Sequence, residues 1–312
     1  MLEDIQDLID AGMPLVSIAQ QARISAAQLR AALNEGDAKD IFTALFTWKA
    51  ENDADARVDS GFVMTPTAHE ITRAFNRARQ LTPDDGRGIA LIFGASGTGK
   101  TQTAKHYADE HNDRGSYHRR AVVIVRLDDV VQKGFDGVLN AVIREAGDVV
   151  EFYSEMVKKP SLTQKIADRL EEGGLVIFDE MQHLSPRIMD SLRILPDKFG
   201  IAVAFMGNVT DSARIAKQTQ IISRAGGAIV TIEIPKEGDV DALLDKWGVM
   251  VDKETRRILL AVGRRDGGLR YLFKVVQAVK NLERATNSKA GAREYLHAAA
   301  VFGEYKGGNS NE

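Results

Sequence analysis

Five short apolar runs punctuate the middle of this chain, and their spacing constrains the fold more than any other feature. They are GIALIFG (88–94), AVVIVRL (121–127), GLVIFDE (174–180), IAVAFMGN (201–208) and AIVTIEI (228–234). Each has the length of a buried strand. Helical patterns of about a dozen residues separate most of them. Strands that are apolar throughout, with helices between, predict a five-stranded parallel sheet wound with helices, an α/β fold. After Pro235 the strand pattern stops. DVDALLDKWG, DKETRRILLAVGRRDGG and LRYLFKVVQAVKNLERATN read as a small helical module.

The chain before the first run reads as helical. LEDIQDLIDAG sets Leu2, Ile5, Leu8 and Ile9 on one face and stops at Gly12. PLVSIAQQARISAAQLRAALNEG predicts a short helix, a turn at Arg23-Ile24 and a second helix N-capped by Ser25, the rhythm of a helix-turn-helix. DIFTALFTWKAEN supplies Phe42, Leu45, Phe46 and Trp48 to a small core, and DADARVDSG (53–61) has the composition of a linker. TPTAHEITRAFNRARQ then predicts an amphipathic helix with Thr65 as N-cap and Pro66 at its first position. The expected division is a helical head at 1–55, an α/β domain at 56–235, a helical lid at 236–303 and a disordered tail at 304–312. Charge follows the same division. Residues 1–55 hold four basic against ten acidic side chains, and residues 236–312 fourteen against eleven, in a chain of net charge −3. No global basic field announces a nucleic-acid partner. With no cysteine, an acidic start and no apolar run of membrane-spanning length, the chain is expected to be soluble and cytoplasmic, without a membrane partner.

The first apolar run ends in GASGTGKT, Gly94–Thr101, the phosphate-binding P-loop pattern with a strand before it and a helix after it. Its glycines let the backbone curl so that N–H groups of Gly94, Ala95, Ser96, Gly97, Thr98, Gly99, Lys100, Thr101 and Gln102 surround a phosphate. Lys100 adds charge at the β- and γ-phosphates, Thr101 a hydroxyl for Mg²⁺, and the helix its N-terminal dipole. ATP and Mg²⁺ are therefore the expected cofactors. In the third run, LVIFDE, Asp179 follows four apolar strand residues and serves the metal with Thr101, while Glu180 activates a water. That second acid argues for hydrolysis rather than passive nucleotide binding. The six histidines show no ligand spacing.

Three polar residues fall at further informative places. Asn208 ends the fourth run, where an amide would position water against the γ-phosphate. Arg224, in IISRAGG, precedes the fifth run and is a candidate arginine finger for a neighbouring subunit's nucleotide. Arg270, in GGLRYL, opens a lid helix and is a candidate γ-phosphate contact. For DNA, the candidates are Lys133 in DDVVQKGFDG, Lys158 and Lys159 in SEMVKKPS, and Arg23, Gln28 and Arg30 of the head. The head's acidity opposes the last three, because phosphate neutralisation supplies most nonspecific affinity.

This order of motifs, P-loop, LVIFDE, Asn208, Ser223-Arg224 and GGLR, resembles the AAA+ ATPases over roughly residues 62–285. The helix-turn-helix head, the compact domain opening FVMTPTAHEI and the short lid further resemble the transposition regulators of the MuB, TnsC and IstB type. The resemblance implies an ATPase that assembles with itself as a helical filament or ring on double-stranded DNA, with little sequence preference. It also implies delivery of that DNA to a transposase, which stimulates hydrolysis, in the cytoplasm of a bacterial host. A helicase loader or replication initiator, or a slow nucleotide-gated scaffold, is the alternative. A metabolic kinase is disfavoured, since Glu180 beside Asp179 suits attack by water.

Overall fold

All five strands are parallel and lie in the spatial order β2-β3-β4-β1-β5, where β1 is Ile89–Gly94, β2 Arg120–Arg126, β3 Leu170–Asp179, β4 Ala202–Gly207 and β5 Ile229–Ile232. The computed structural model describes residues 15–35, 61–80, 88–112, 119–127, 134–147, 160–265, 267–286 and 288–304, with single positions 2, 5, 6, 9, 41, 44 and 45. Leu8, Gly12, Phe42, Phe46, Trp48, most of the expected linker and residues 305–312 lie outside the described residues.

Side-chain alternation along the strands builds two cores, one on each face of the sheet. Leu91, Phe93, Val176, Phe178, Val203 and Phe205 point to one face and meet Val138, Val142 and Ile166 from helices Gly134–Ala146 and Leu162–Arg169. Phe178 and Phe205, paired across β3 and β4, stack at 5.7 Å. The other face carries Ala90, Ile92, Ile177, Ala204 and Met206 against Ile71, Phe75, Ala104 and Tyr107 from helices Pro66–Gln80 and Lys100–Asn112. Burying each of the larger side chains contributes about 1.5–3 kcal/mol. Strands buried on both faces are why their sequences read as unbroken apolar runs.

Two strands depart from the apolar runs. β3 starts at Leu170, four residues before the run begins at 174. Glu171, Glu172 and Gly173 join it ahead of the run, through a register shift against β2 between Arg120↔Leu170 and Val122↔Leu175. Arg79 holds that irregular stretch by donating from Nε to the Gly173 carbonyl at 2.8 Å. Polar bulge residues leave no apolar signature, so periodicity misses them. β5 stops at Ile232, two residues short, with Ile229 and Ile234 exposed at the sheet edge.

The helix Pro66–Gln80 begins as its sequence predicts, with Thr65 Oγ1 accepting from the Ala68 N–H at 3.2 Å. A second cap is supplied from far along the chain. Asp239, fully buried, accepts from Thr67 N at 2.8 Å, Thr67 Oγ1 at 2.6 Å and Lys236 N at 2.7 Å. One carboxylate thus caps both Pro66–Gln80 and Glu237–Lys246.

The chain divides into two compact units. One holds Phe62–Leu243 with Arg264–Gly268, and the other Met1–Gly61, Leu244–Gly263 and Leu269–Glu312. In the second, helices Leu15–Gln21 and Ala26–Glu35 pack Ile18, Ala19 and Leu29 with Ile5 and Leu45. The turn between them puts Arg23 in left-handed backbone, φ 56°. Ser25 and Gln28 form a reciprocal capping box. Gln28 N donates to Ser25 Oγ at 3.1 Å, and Ser25 N donates to Gln28 Oε1 at 3.0 Å. Among the described residues no helix is long and apolar enough to cross a membrane.

Candidate nucleotide site

Parallel strands place all their carboxyl ends on one edge of the sheet, and the three neighbours β3, β4 and β1 bring the predicted chemistry together there. β1 ends at Gly94, β3 at Asp179, and β4 at Gly207, with Asn208 next in the chain. Phe93 lies opposite Gly207 in register, so Asn208 follows beside the start of the P-loop.

The loop is shaped by its own polar atoms. Thr98, buried, donates from Oγ1 to the Ala95 carbonyl at 2.9 Å, and Thr103 donates to Gly99 O at 3.0 Å in the first turn of Lys100–Asn112. Gly97 and Gly99 hold φ of 74° and 93°, the region glycine tolerates best. Lys100 Nζ donates to Gly94 O at 2.6 Å and Ala95 O at 3.0 Å. A Cβ on Gly94 would come within 2.9 Å of Thr98 Oγ1 and 3.0 Å of Lys100 Cδ. That cradle, which a side chain at Gly94 would fill, fits a polyphosphate. Ser96 and Gln102 are exposed at its rim.

Thr101 Oγ1 donates to Asp179 Oδ2 at 2.8 Å, joining residues 78 positions apart. A hydroxyl and a carboxylate are hard oxygen donors, and so small a protein set suits Mg²⁺, which keeps waters and takes its remaining ligands from a nucleotide. Mg·ATP, when bound, supplies the electrophilic γ-phosphate and the metal that polarises it; Lys100, Thr101 and Asp179 are the residues that would hold it. Both charges suffer from burial in the folded chain. Desolvation pushes the Asp179 carboxyl above its usual 3.8, and pulls the Lys100 ammonium below its usual 10.5.

Glu180 follows with φ 62° and ψ 49°, left-handed backbone that is uncommon for a residue with a side chain. Such a conformation costs on the order of 1–3 kcal/mol and persists where the surroundings impose it. Its N–H donates to Asp179 Oδ1 at 3.0 Å, and its carboxylate Oε2 accepts from Gln182 Nε2 at 2.6 Å. The turn Met181–His183 behind it is clamped by Arg214, which donates to Leu184 O at 2.9 Å and Met181 O at 3.1 Å. Arg214 pairs with Asp211, whose other oxygen accepts from the Asn208 N–H at 2.9 Å. Gln182, Asp211 and Arg214 are site residues that motif reasoning misses, because their partners are set by folding and not by spacing.

The remaining candidates lie elsewhere in the chain. Arg224, near the end of helix Thr219–Ala225, contacts Asp197 of helix Ile194–Phe199 at 3.2 Å. Arg270 is exposed in the first turn of Gly268–Thr286 and belongs to the other unit, as do Arg23 and Arg30, both exposed, and Gln28, engaged in its capping box. Lys133, Lys158 and Lys159 lie outside the described residues.

Comparison with known proteins agrees with this geometry. Residues 83–211 match the AAA domain family, and residues 223–301 match the C-terminal domain of the Mu B transposition protein. The chain thus joins an AAA domain to a segment like the C-terminal domain of the Mu B transposition protein. It is similar to the Mu-like prophage FluMu DNA transposition protein B of Haemophilus influenzae, 25% identical over 281 residues that cover 86% of this chain and 91% of that protein. It is also similar to the ATP-dependent target DNA activator B of Escherichia phage Mu, 26% identical over 267 residues, covering 82% and 79%. Among solved structures, the ORC2 protein of Aeropyrum pernix aligns with a TM-score of 0.55 at 13% identity, covering 80% of this chain and 72% of that one. The ORC1 protein of the same organism, in complex with DNA, aligns with 0.51 at 15%, covering 81% and 69%. At such identities the likeness is one of fold, the AAA+ sheet with its P-loop edge.

Proposed function

We propose that this ATPase grips double-stranded DNA while ATP is bound, assembles on it as a ring or helical filament, and delivers it to a transposase, with hydrolysis ending the grip. The observation that carries the reading is Glu180, held in left-handed backbone directly after the buried Asp179. A passive nucleotide clamp needs the metal ligand; only turnover needs the second carboxylate, placed to take a proton from attacking water. The DNA and transposition parts draw support from the names of the phage and prophage relatives. In this reading Asn208 orients the water, Arg270 touches the γ-phosphate, and DNA and the transposase stimulate hydrolysis. Lys133, Lys158 and Lys159, with Arg23, Gln28 and Arg30 of the head, are the candidate DNA contacts. Arg224 reaches the nucleotide of a neighbouring subunit.

Glu180→Gln tests the reading. The amide keeps the side chain's size and leaves Lys100, Thr101 and Asp179 intact, so ATP affinity should change little. Hydrolysis should fall by about 10²–10⁴, the share of general-base catalysis. On a tethered duplex washed free of excess protein, the variant should stay bound in ATP while the parent leaves. Equal departure rates would mean that hydrolysis is not the release step. Electron microscopy with ATP, Mg²⁺ and a long duplex separates continuous filaments from closed rings. For Arg224, a mixture of Arg224→Ala and Glu180→Gln chains that co-assemble should recover part of the activity that each lacks alone.

A further inference from the structure

We propose that Asp197 is an intrasubunit latch on Arg224, and that Arg193 is the seat that receives its carboxylate when Arg224 turns to a neighbouring subunit. The proposal rests on the reading of Arg224 as acting in trans. Arg224 donates from Nε to Asp197 Oδ1 at 3.2 Å and from Nη2 to Oδ2 at 3.5 Å, across 27 residues of chain. Its other side-chain hydrogen bond among the described residues, Nη1 to the Gln220 carbonyl at 3.3 Å, is local to its own helix. The charge needed by a neighbour's phosphates is therefore cancelled within the subunit.

One carboxylate faces two arginines here and hydrogen-bonds only one of them. Arg193 Nε is 3.8 Å from Asp197 Oδ2, near enough for attraction and too far for a hydrogen bond. That nitrogen is buried with no hydrogen-bond partner among the described residues. A buried charged donor left unbonded is costly. Departure of Arg224 would free Asp197 to close on Arg193 Nε, so the cost of opening one bond is offset by making another. The two arginines also differ in restraint. Arg193 is anchored by Nη1 to Asp190 Oδ1 at 2.7 Å and to Gln220 Oε1. Arg224 lies in the last turn of its helix, ahead of Gly226 and Gly227 with φ of 53° and 82°. Arg193 is the fixed side of the exchange and Arg224 the side free to move. Arg224 is 24% exposed and Arg193 21%, so the latch is modest and a triphosphate can outcompete it.

The test uses the full chain, with steady-state ATP hydrolysis followed against protein concentration in saturating ATP, Mg²⁺ and duplex DNA. Asp197→Asn keeps the shape and removes the charge. It should lower the half-saturating protein concentration about threefold, the scale of a part-exposed ion pair, with the plateau rate unchanged. Nucleotide affinity of the dilute subunit should also be unchanged, which damage to the fold would not leave. Arg193→Gln removes the receiving seat and should shift half-saturation the other way, about twofold upward. An unchanged or raised half-saturation in Asp197→Asn overturns the latch, since a carboxylate that only orients Arg224 gives that result. A downward shift in Arg193→Gln overturns the exchange. If Arg224→Ala leaves the plateau rate intact, the trans reading beneath the proposal fails; if it removes the rate while Asp197→Asn shifts nothing, the latch alone fails.

Discussion

Arg214 donates to the Met181 carbonyl at 3.1 Å, and through this bond the short helix Asp211–Ile215 after β4 grips the turn that carries Glu180. The same guanidinium takes Leu184 O and pairs with Asp211, which holds the backbone of Asn208. Two residues proposed to act on one water are thus fixed to a single ion pair. Gly207 has no room for a side chain, because a Cβ would meet Met181 Cγ at 2.4 Å and Asp211 Oδ2 at 2.9 Å.

Arg214→Met should therefore separate binding from turnover. The P-loop and Asp179 are untouched, so the KM for ATP should stay within a few-fold. The rate constant should fall by about tenfold or more as Glu180 and Asn208 lose their common support, and stability should drop by about 1–3 kcal/mol for the carbonyls and carboxylate left unpaired. A stopped-flow or coupled assay resolves the two constants. A loss confined to KM would show that the relay does not position the turn.

The ligand-free site carries two ill-placed charges, and the shifts fix the sign of the effect. Asp179 has a folded pKa above its ordinary 3.8, so its penalty is absent below that pH and full once pH exceeds the folded value. Lys100 has a folded pKa below its ordinary 10.5, so its penalty is full below the folded value and disappears above 10.5. Both therefore weigh on the protein at neutral pH. Asp179→Asn and Lys100→Met should each raise the thermal midpoint of the nucleotide-free chain. Each should also forfeit most of the further stabilisation given by Mg·ATP, which in the parent is about 2.7 kcal/mol at a hundredfold excess over Kd. Thermal denaturation with and without Mg·ATP reads both effects.

Asp239→Ala should be among the most destabilising single changes in the α/β unit. It removes three bonds at once and leaves Thr67 N and Lys236 N without their cap. A hydrogen bond to a charged group contributes about 1.5–3 kcal/mol, and three are lost together. Urea denaturation should show the midpoint falling with little change in slope. A drop below about 1 kcal/mol, the worth of a single ordinary hydrogen bond, would mean that the two helix ends find other partners.

Replacing Lys133, Lys158 and Lys159 by alanine should weaken binding to every duplex about equally. For each phosphate that the variant no longer neutralises, the salt dependence of affinity should flatten by about one unit. Binding titrations at several salt concentrations decide it. Weakening restricted to particular sequences would point to base readout instead.

The candidate nucleotide site is legible in the sequence because phosphate and Mg²⁺ binding demand fixed residue types at fixed local spacing. GASGTGKT and LVIFDE each carry their own context, and the hydroxyl-to-carboxylate pairing of Thr101 with Asp179 follows from what Mg²⁺ requires. Strands β1 to β4 are legible because burial on both faces makes their central residues apolar. Their order is not, since β1 lies between β4 and β5 through pairings that no local pattern encodes. The same reason hides Asp239, Asp211, Arg214 and the Asp197 pair. An aspartate 172 residues from the helix it caps looks, in sequence, like any surface acid. Glu180's left-handed backbone is equally silent, because residue type there is set by chemistry against conformational preference.

Two glycines of the loop should fail in different ways when given a methyl group. Gly97 holds φ 74°, and a Cβ there would lie 2.0 Å from the carbonyl oxygen of Gly267 and 2.5 Å from its carbon. Both obstacles are backbone, and the left-handed conformation adds about 1–2 kcal/mol for any L side chain. Gly97→Ala should thus lower stability by about 2 kcal/mol or more, the scale of strain plus overpacking, and weaken ATP binding as well. Gly94 has no such φ, and its nearest obstacles are Thr98 Oγ1 at 2.9 Å and Lys100 Cδ at 3.0 Å. Those side chains can move, but moving them takes the Lys100 ammonium off the Gly94 and Ala95 carbonyls. Gly94→Ala should then lose nucleotide affinity with a much smaller change in stability. Chemical denaturation alongside nucleotide titration compares the two variants, and equal drops in stability would show that the loop yields as one body rather than residue by residue.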